Sequence, residues 1–112
     1  GYSSAASDVY KRQEMKCQYR RRRELIVKGL NNIEKISCLW PKGAFYAFAN
    51  ISGTGLKSQE FAMRLLQEQH VVVVPGTGFG QGGEGFIRLS YATSEKSIQE
   101  GLRRMEAFVK GL

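Results

Sequence analysis

The sequence predicts an α+β domain, a small mixed sheet covered by helices, and three observations carry that prediction. Apolar residues recur at helical spacing in residues 15–33 and 98–109, short β-branched and aromatic runs lie between them, and turn residues punctuate the runs. The resulting order is helix, strand, strand, helix, strand, strand, helix, with no internal repeat.

The first helix is expected from Glu14. Met15, Tyr19, Ile26, Leu30 and Ile33 form one stripe, with Arg20 to Glu24 largely opposite and Arg22 interrupting it as a side chain that snorkels or pairs. Asn31-Asn32 ends it through the left-handed cap conformation that Asn tolerates. A hairpin follows, from strands 36–40 and 44–51 joined by Pro41-Lys42-Gly43. Ser52-Gly53-Thr54-Gly55 is turn chemistry, and Ser58 is expected to N-cap a helix turning Phe61, Leu65 and Leu66 inward. Val71 to Val74 reads as a strand buried on both faces and stopped by Pro75-Gly76. The glycine-rich run 76–83 matches neither a dinucleotide fingerprint nor a phosphate loop. A last strand spans Phe86 to Tyr91, and Ser94 caps a helix with Ile98, Leu102, Met105 and Val109 on one face, ended by Gly111.

Residues 1–13 start without Met, lack an apolar period and resemble a translated adapter or linker tail, so they are set apart as a non-native segment and 14–112 as the native domain. On that reading the native protein continues upstream. The 112 residues are 42% hydrophobic, which suits one packed domain, and carry a net charge of +7. Setting the first thirteen aside leaves 15 basic and 9 acidic residues, so the bias survives. Lys16, Arg20 to Arg23 and Lys28 crowd the first helix, but no nucleic-acid motif or stacking platform accompanies them, and a solvated face is expected. No apolar run has the length of a membrane helix and no secretory pattern opens the chain, so a cytoplasmic protein is expected. Cys17 and Cys38 have no metal spacing and read as reduced thiols; His70, the single histidine, reads as a surface or hinge residue, and no metal site is expected. No Ser/His/acid or Cys/His set is evident, and Asp is absent after Asp8.

Arg88 stands out. In Phe86-Ile87-Arg88-Leu89-Ser90-Tyr91, strand alternation puts Ile87, Leu89 and Tyr91 on one face and leaves Arg88 on the other, free to take an anion. Its planar fork fits a carboxylate bidentately. The plainer readings are a solvent-facing arginine or a pair with Glu84.

Three blocks, Trp40 to Phe48, Val74 to Gly80 and Gly85 to Ala92, together resemble the C-terminal small domain of fold-type I pyridoxal-phosphate (PLP) aminotransferases of the class I/II, aspartate aminotransferase-like family. The resemblance spans Glu14 to Val109. It implies that Arg88 binds the substrate α-carboxylate and that Phe45 borders the substrate, against the default of a core aromatic. It implies a homodimeric parent that moves an amino group between an amino acid and a 2-oxo acid, with PLP held mainly by a large domain upstream. The Schiff-base lysine would lie there too, so no catalytic or cofactor-binding residue is assigned within this chain, and the chain alone is expected to be inactive. Another fold-type I PLP enzyme, a lyase or synthase, or a basic interaction module using Arg20 to Arg23, are the alternatives. Ala49, where many relatives have proline, and Gly101, where alanine is frequent, depart from the pattern without touching the proposed site.

Overall fold

The computed structural model describes the backbone of residues 2–41 and 45–112, and the side chains of 17–41, 45–80 and 82–112. Three helices lie on one face of a four-stranded sheet. In chain order these are α1 (Tyr2–Asn32), β1 (Ser37–Cys38), β2 (Tyr46–Asn50), α2 (Ser58–Gln69), β3 (Val74–Pro75), β4 (Phe86–Ser90) and α3 (Glu95–Lys110). The strand order is β1-β2-β4-β3. The α+β class holds, but all three pairings are antiparallel where the sequence suggested a mixed sheet.

α1 is helical from Tyr2, well before Glu14. No Gly or Pro occurs between Tyr2 and Lys28 to stop a helix from propagating toward the N-terminus. Its apolar face buries Ile26, Val27 and Leu30, and Ile33, just past its end, is buried beside them. The helix ends at Asn32 as expected, by a different device. The left-handed residue is Lys35, at φ 73°. Asn31 instead reaches β1: its Nδ2 donates to the Cys38 carbonyl at 2.9 Å and its Oδ1 accepts the Cys38 N–H at 2.8 Å. One side-chain amide thus satisfies the outer edge of an edge strand that would otherwise be open to further pairing. That edge also explains why β1 is shorter than 36–40. Leu39 leaves the sheet and is 87% exposed. The Lys42-Gly43 connection lies outside the described residues.

Ser58 is the first residue of α2 rather than its N-cap; Lys57 holds the cap position without a side-chain bond. The Ser58 hydroxyl is fully buried, accepting the Gly85 N–H at 2.7 Å and donating to the Gly83 carbonyl at 3.4 Å. α2 turns Phe61, Ala62 and Leu65 inward, and Leu66, expected inside, faces out. The Val71 to Val74 run is not buried on both faces. Only Val73 is buried, Val72 is exposed, and the strand shrinks to Val74–Pro75 at the sheet edge. Pro75 has no N–H to give a further strand, so an edge is where this segment fits.

The expected α3 cap is present: the Ser94 hydroxyl accepts the Ser97 N–H at 3.1 Å. Ile98, Met105 and Val109 are buried, joined by Phe108, whose ring meets Phe61 edge-on at 5.2 Å. Leu102 is half-buried against Gly29, where a methyl group would collide with it. On the sheet, Ala47, Ala49, Ile87 and Tyr91 face this core. Among the described residues no helix is long and apolar enough to cross a membrane.

Candidate functional site

The alternation in β4 holds: Ile87 is completely buried, and Arg88 is half-buried on the opposite face. The register places Phe48 of β2 and Val74 of β3 directly opposite Arg88, and pairs Tyr46 with Ser90 one diagonal away. Among the described residues no helix covers this face, and its aromatics remain accessible: Tyr46 is 40%, Phe48 47% and Phe79 46% exposed.

Two of those rings enclose the guanidinium. The Arg88 Cζ lies 4.2 Å from the Tyr46 ring centroid and 4.3 Å from that of Phe79. Both distances are well inside the range for attraction between a cation and an aromatic quadrupole. Phe79 in turn meets Phe48 edge-on at 6.0 Å. With rings stacked on it, the guanidinium keeps its N–H groups directed in its own plane, which is the geometry for a bidentate carboxylate. Among the described residues Arg88 has no carboxylate partner. Glu84, the alternative partner, is engaged elsewhere: its Oε1 accepts the Ser58 N–H at 3.0 Å, at the start of α2.

Phe79 is brought to Arg88 by the glycine-rich segment, which folds as two short 3₁₀ turns, Gly76–Phe79 and Gln81–Gly83. Gly76 and Gly83 pack backbone to backbone, each where a methyl group would strike the other's carbonyl oxygen. Ser58 holds the far end through Gly83 and Gly85. The loop is thus closed on itself and tied to α2, with Phe79 at its outer tip.

The structure does not bring Phe45 and Arg88 together. Phe45 precedes β2 with the parity of Ala47 and Ala49, on the helix side. Its ring stacks on Tyr19 of α1 at 4.2 Å and meets Tyr91 edge-on at 6.3 Å. The Tyr91 phenol is pushed up by burial, an effect only partly countered by the positive charge of Arg23. Arg23 lies over Trp40 at 4.8 Å with its Nε buried and without a hydrogen-bond partner among the described residues. Arg22, which interrupts the apolar stripe, lies over the Tyr19 ring at 5.5 Å. Sequence reasoning missed Tyr46 and Phe79. Strand parity could have supplied Tyr46, which shares the face of Phe48; nothing local in the sequence foretells the path that carries Phe79 across.

The described residues do not fit a covalently held pyridoxal phosphate. Lys28, Lys35, Lys57, Lys96 and Lys110 are all exposed, whereas an amine that must be neutral to attack a carbonyl is favoured by burial. The side chains of Lys11, Lys16 and Lys42 lie outside the described residues. Cys38 is buried and Cys17 exposed, both as free thiols, and His70 is an exposed left-handed residue ending α2. No cluster of metal-ligating side chains occurs among the described residues.

The family model for aminotransferase class I and II matches residues 3–105. An aspartate aminotransferase of Pyrococcus horikoshii is 50% identical over 99 residues, which is 88% of this chain and 25% of that protein. The Bacillus subtilis aminotransferase-type protein YugH is 50% identical over 109 residues, 97% of this chain and 27% of its own length. The crystal structure of an aromatic aminotransferase from Pyrococcus horikoshii superposes with a TM-score of 0.85 at 45% identity, over 88% of this chain and 26% of that one. The chain therefore spans about a quarter of the length of these relatives. A match over nearly the whole chain, on the motifs that hold Arg88 and its loop, assigns it to a family: the chain belongs to the class I and II aminotransferases, of the fold-type I pyridoxal-phosphate type.

Proposed function

We propose that this chain is the C-terminal small domain of a PLP-dependent aminotransferase, and that Arg88 holds the α-carboxylate of the amino-acid or 2-oxo-acid substrate. The observation that carries the reading is a strand-borne guanidinium, stacked by Tyr46 and Phe79 on an uncovered sheet face, with no carboxylate of its own among the described residues. Holding the fork on a strand fixes its direction before ligand arrives, so little ordering is left to the binding step. The cofactor and the lysine that binds it belong, on this reading, to the remainder of a cytoplasmic, homodimeric parent. The chain contributes binding and orientation, and is inactive alone. Phe45, half-exposed at the start of β2, is proposed to border the substrate cleft from the helix side.

The same reading keeps residues 1–13 as a non-native tail on a native domain 14–112. Its support is compositional: residues 1–13 lack the apolar period that the rest of the chain shows. The family model and the Bacillus relative extend into the tail.

The test is Arg88→Ala in the full-length enzyme. Loss of a charge-assisted carboxylate pair costs about 2–5 kcal/mol, so kcat/KM falls by roughly thirtyfold or more while cofactor content is retained. Unchanged kcat/KM overturns the role. For the chain alone, no absorbance of a covalent PLP adduct is expected; its appearance would contradict the assignment of the cofactor to another domain.

A further inference from the structure

Beside Arg88, on the same face of the sheet, lies a cavity of about 340 Å³ lined by Phe48, Gly76, Phe79, Gly82, Gly83 and Phe86. Three phenylalanines and three glycines line it, with no charged or polar side chain among them. Two of its walls also belong to the Arg88 site. Phe79 stacks on the guanidinium, and Phe48 stands directly across the β2–β4 pair from it. Phe86 is two residues along β4 on the same face. A cation without a carboxylate partner among the described residues and an apolar recess thus share a wall.

We propose that this recess is a side-chain subsite for ligands whose carboxylate is held by Arg88, and that it selects a flat aromatic or large apolar group over a small one. The inference rests on the carboxylate reading of Arg88. A phenyl ring offers apolar area to three rings at once, and ring pairs gain further from edge-to-face geometry. A methyl group reaches little of that surface, and a charged side chain would enter with no opposite charge to meet it. The recess also depends on the absence of side chains at its glycines. Gly76 and Gly83 could not carry even a methyl group, since each would strike the other's carbonyl oxygen.

The experiment is a nuclear magnetic resonance titration of the 112-residue chain with 3-phenylpropionate and with propionate. It follows the amides of Gly82, Gly83 and Phe86 and the side-chain N–H of Arg88. Partial burial of the ring predicts that phenylpropionate binds about tenfold more tightly than propionate. Phe86→Ala, which removes a wall, is expected to weaken that preference while leaving propionate at Arg88; Phe48→Ala, which removes another, weakens it independently. Arg88→Gln is expected to weaken both ligands. Equal affinity for the two ligands with a clear Arg88 response overturns the subsite and leaves the carboxylate reading standing. Undiminished phenylpropionate affinity in Arg88→Gln uncouples the recess from the arginine and also overturns it. No response at Arg88 to either ligand sinks both readings together.

Discussion

Replacing Ser58 by alanine tests whether the loop that carries Phe79 is held from α2. The hydroxyl is completely buried and accepts the Gly85 N–H at 2.7 Å, a bond that is itself buried. It also donates to the Gly83 carbonyl at 3.4 Å, a longer and weaker contact. Alanine is smaller by one oxygen, so the cavity left behind is slight and the lost bond dominates. A buried amide stripped of its acceptor costs about 1–3 kcal/mol. In a domain of this size that lowers Tm by roughly 5–20 °C. Urea unfolding of the chain should show the midpoint falling with the slope unchanged, since the surface exposed on unfolding is the same. The arginine site should respond as well: with Gly83 and Gly85 released, Phe79 loses its fixed position, and the ring-current shift it imposes on the Arg88 side chain should shrink. A loss below about 0.5 kcal/mol, the level of an ordinary surface substitution, would show that the loop is held by its own glycine contacts and not by Ser58.

Glycines of the same loop should divide sharply. Gly76→Ala drives a methyl into the carbonyl oxygens of Gly83 and Phe86 and should cost about 1–3 kcal/mol, whereas Gly78→Ala enters open space and should stay within about 0.5 kcal/mol in the same urea assay. Cys17 is exposed, while burial pushes the Cys38 thiol up, so a thiol reagent should modify Cys17 first and Cys38 only as the chain unfolds; equal rates would contradict the packing of β1. Glu100 is held down to about 2 by hydrogen bonds from Arg103 and then Arg104. Because its folded value is depressed, its contribution is present above the ordinary carboxylate range and is lost as pH falls through 4.5 toward about 2. A carbon-detected titration should place the midpoint near 2, and Arg103→Ala should raise it; an unmoved midpoint would remove Arg103 as the cause.

What the sequence made legible was whatever depends on neighbours along the chain. The alternation of Phe86 to Ser90 fixes which side of β4 meets the core, and Ser94 followed by an apolar stripe fixes α3. Features that depend on distant segments were not legible. The four valines read as a doubly buried strand because nothing local reveals that their segment lies at the sheet edge, with Val72 outside. Ser58 read as a cap because serine at a helix start usually is one; here its hydroxyl is drawn to Gly85, a partner far along the chain. At the site, Arg88 was found from an anomaly of composition within one strand. Phe79 was not, since its place over the guanidinium follows from closure of the loop between Gly76 and Gly83.

The helices all press on one side of the sheet, and this divides the work of β4 between alternate positions. Ile87, and Tyr91 just past the strand, belong to the packed interior, while Phe86 and Arg88 belong to the opposite face, where the proposed ligand would sit. Folding and recognition are thereby drawn from separate residues on a single strand. If the proposed subsite holds, a descendant sequence can change Phe48, Phe79 or Phe86 and acquire a new ligand preference while the interior that keeps the chain folded is left alone.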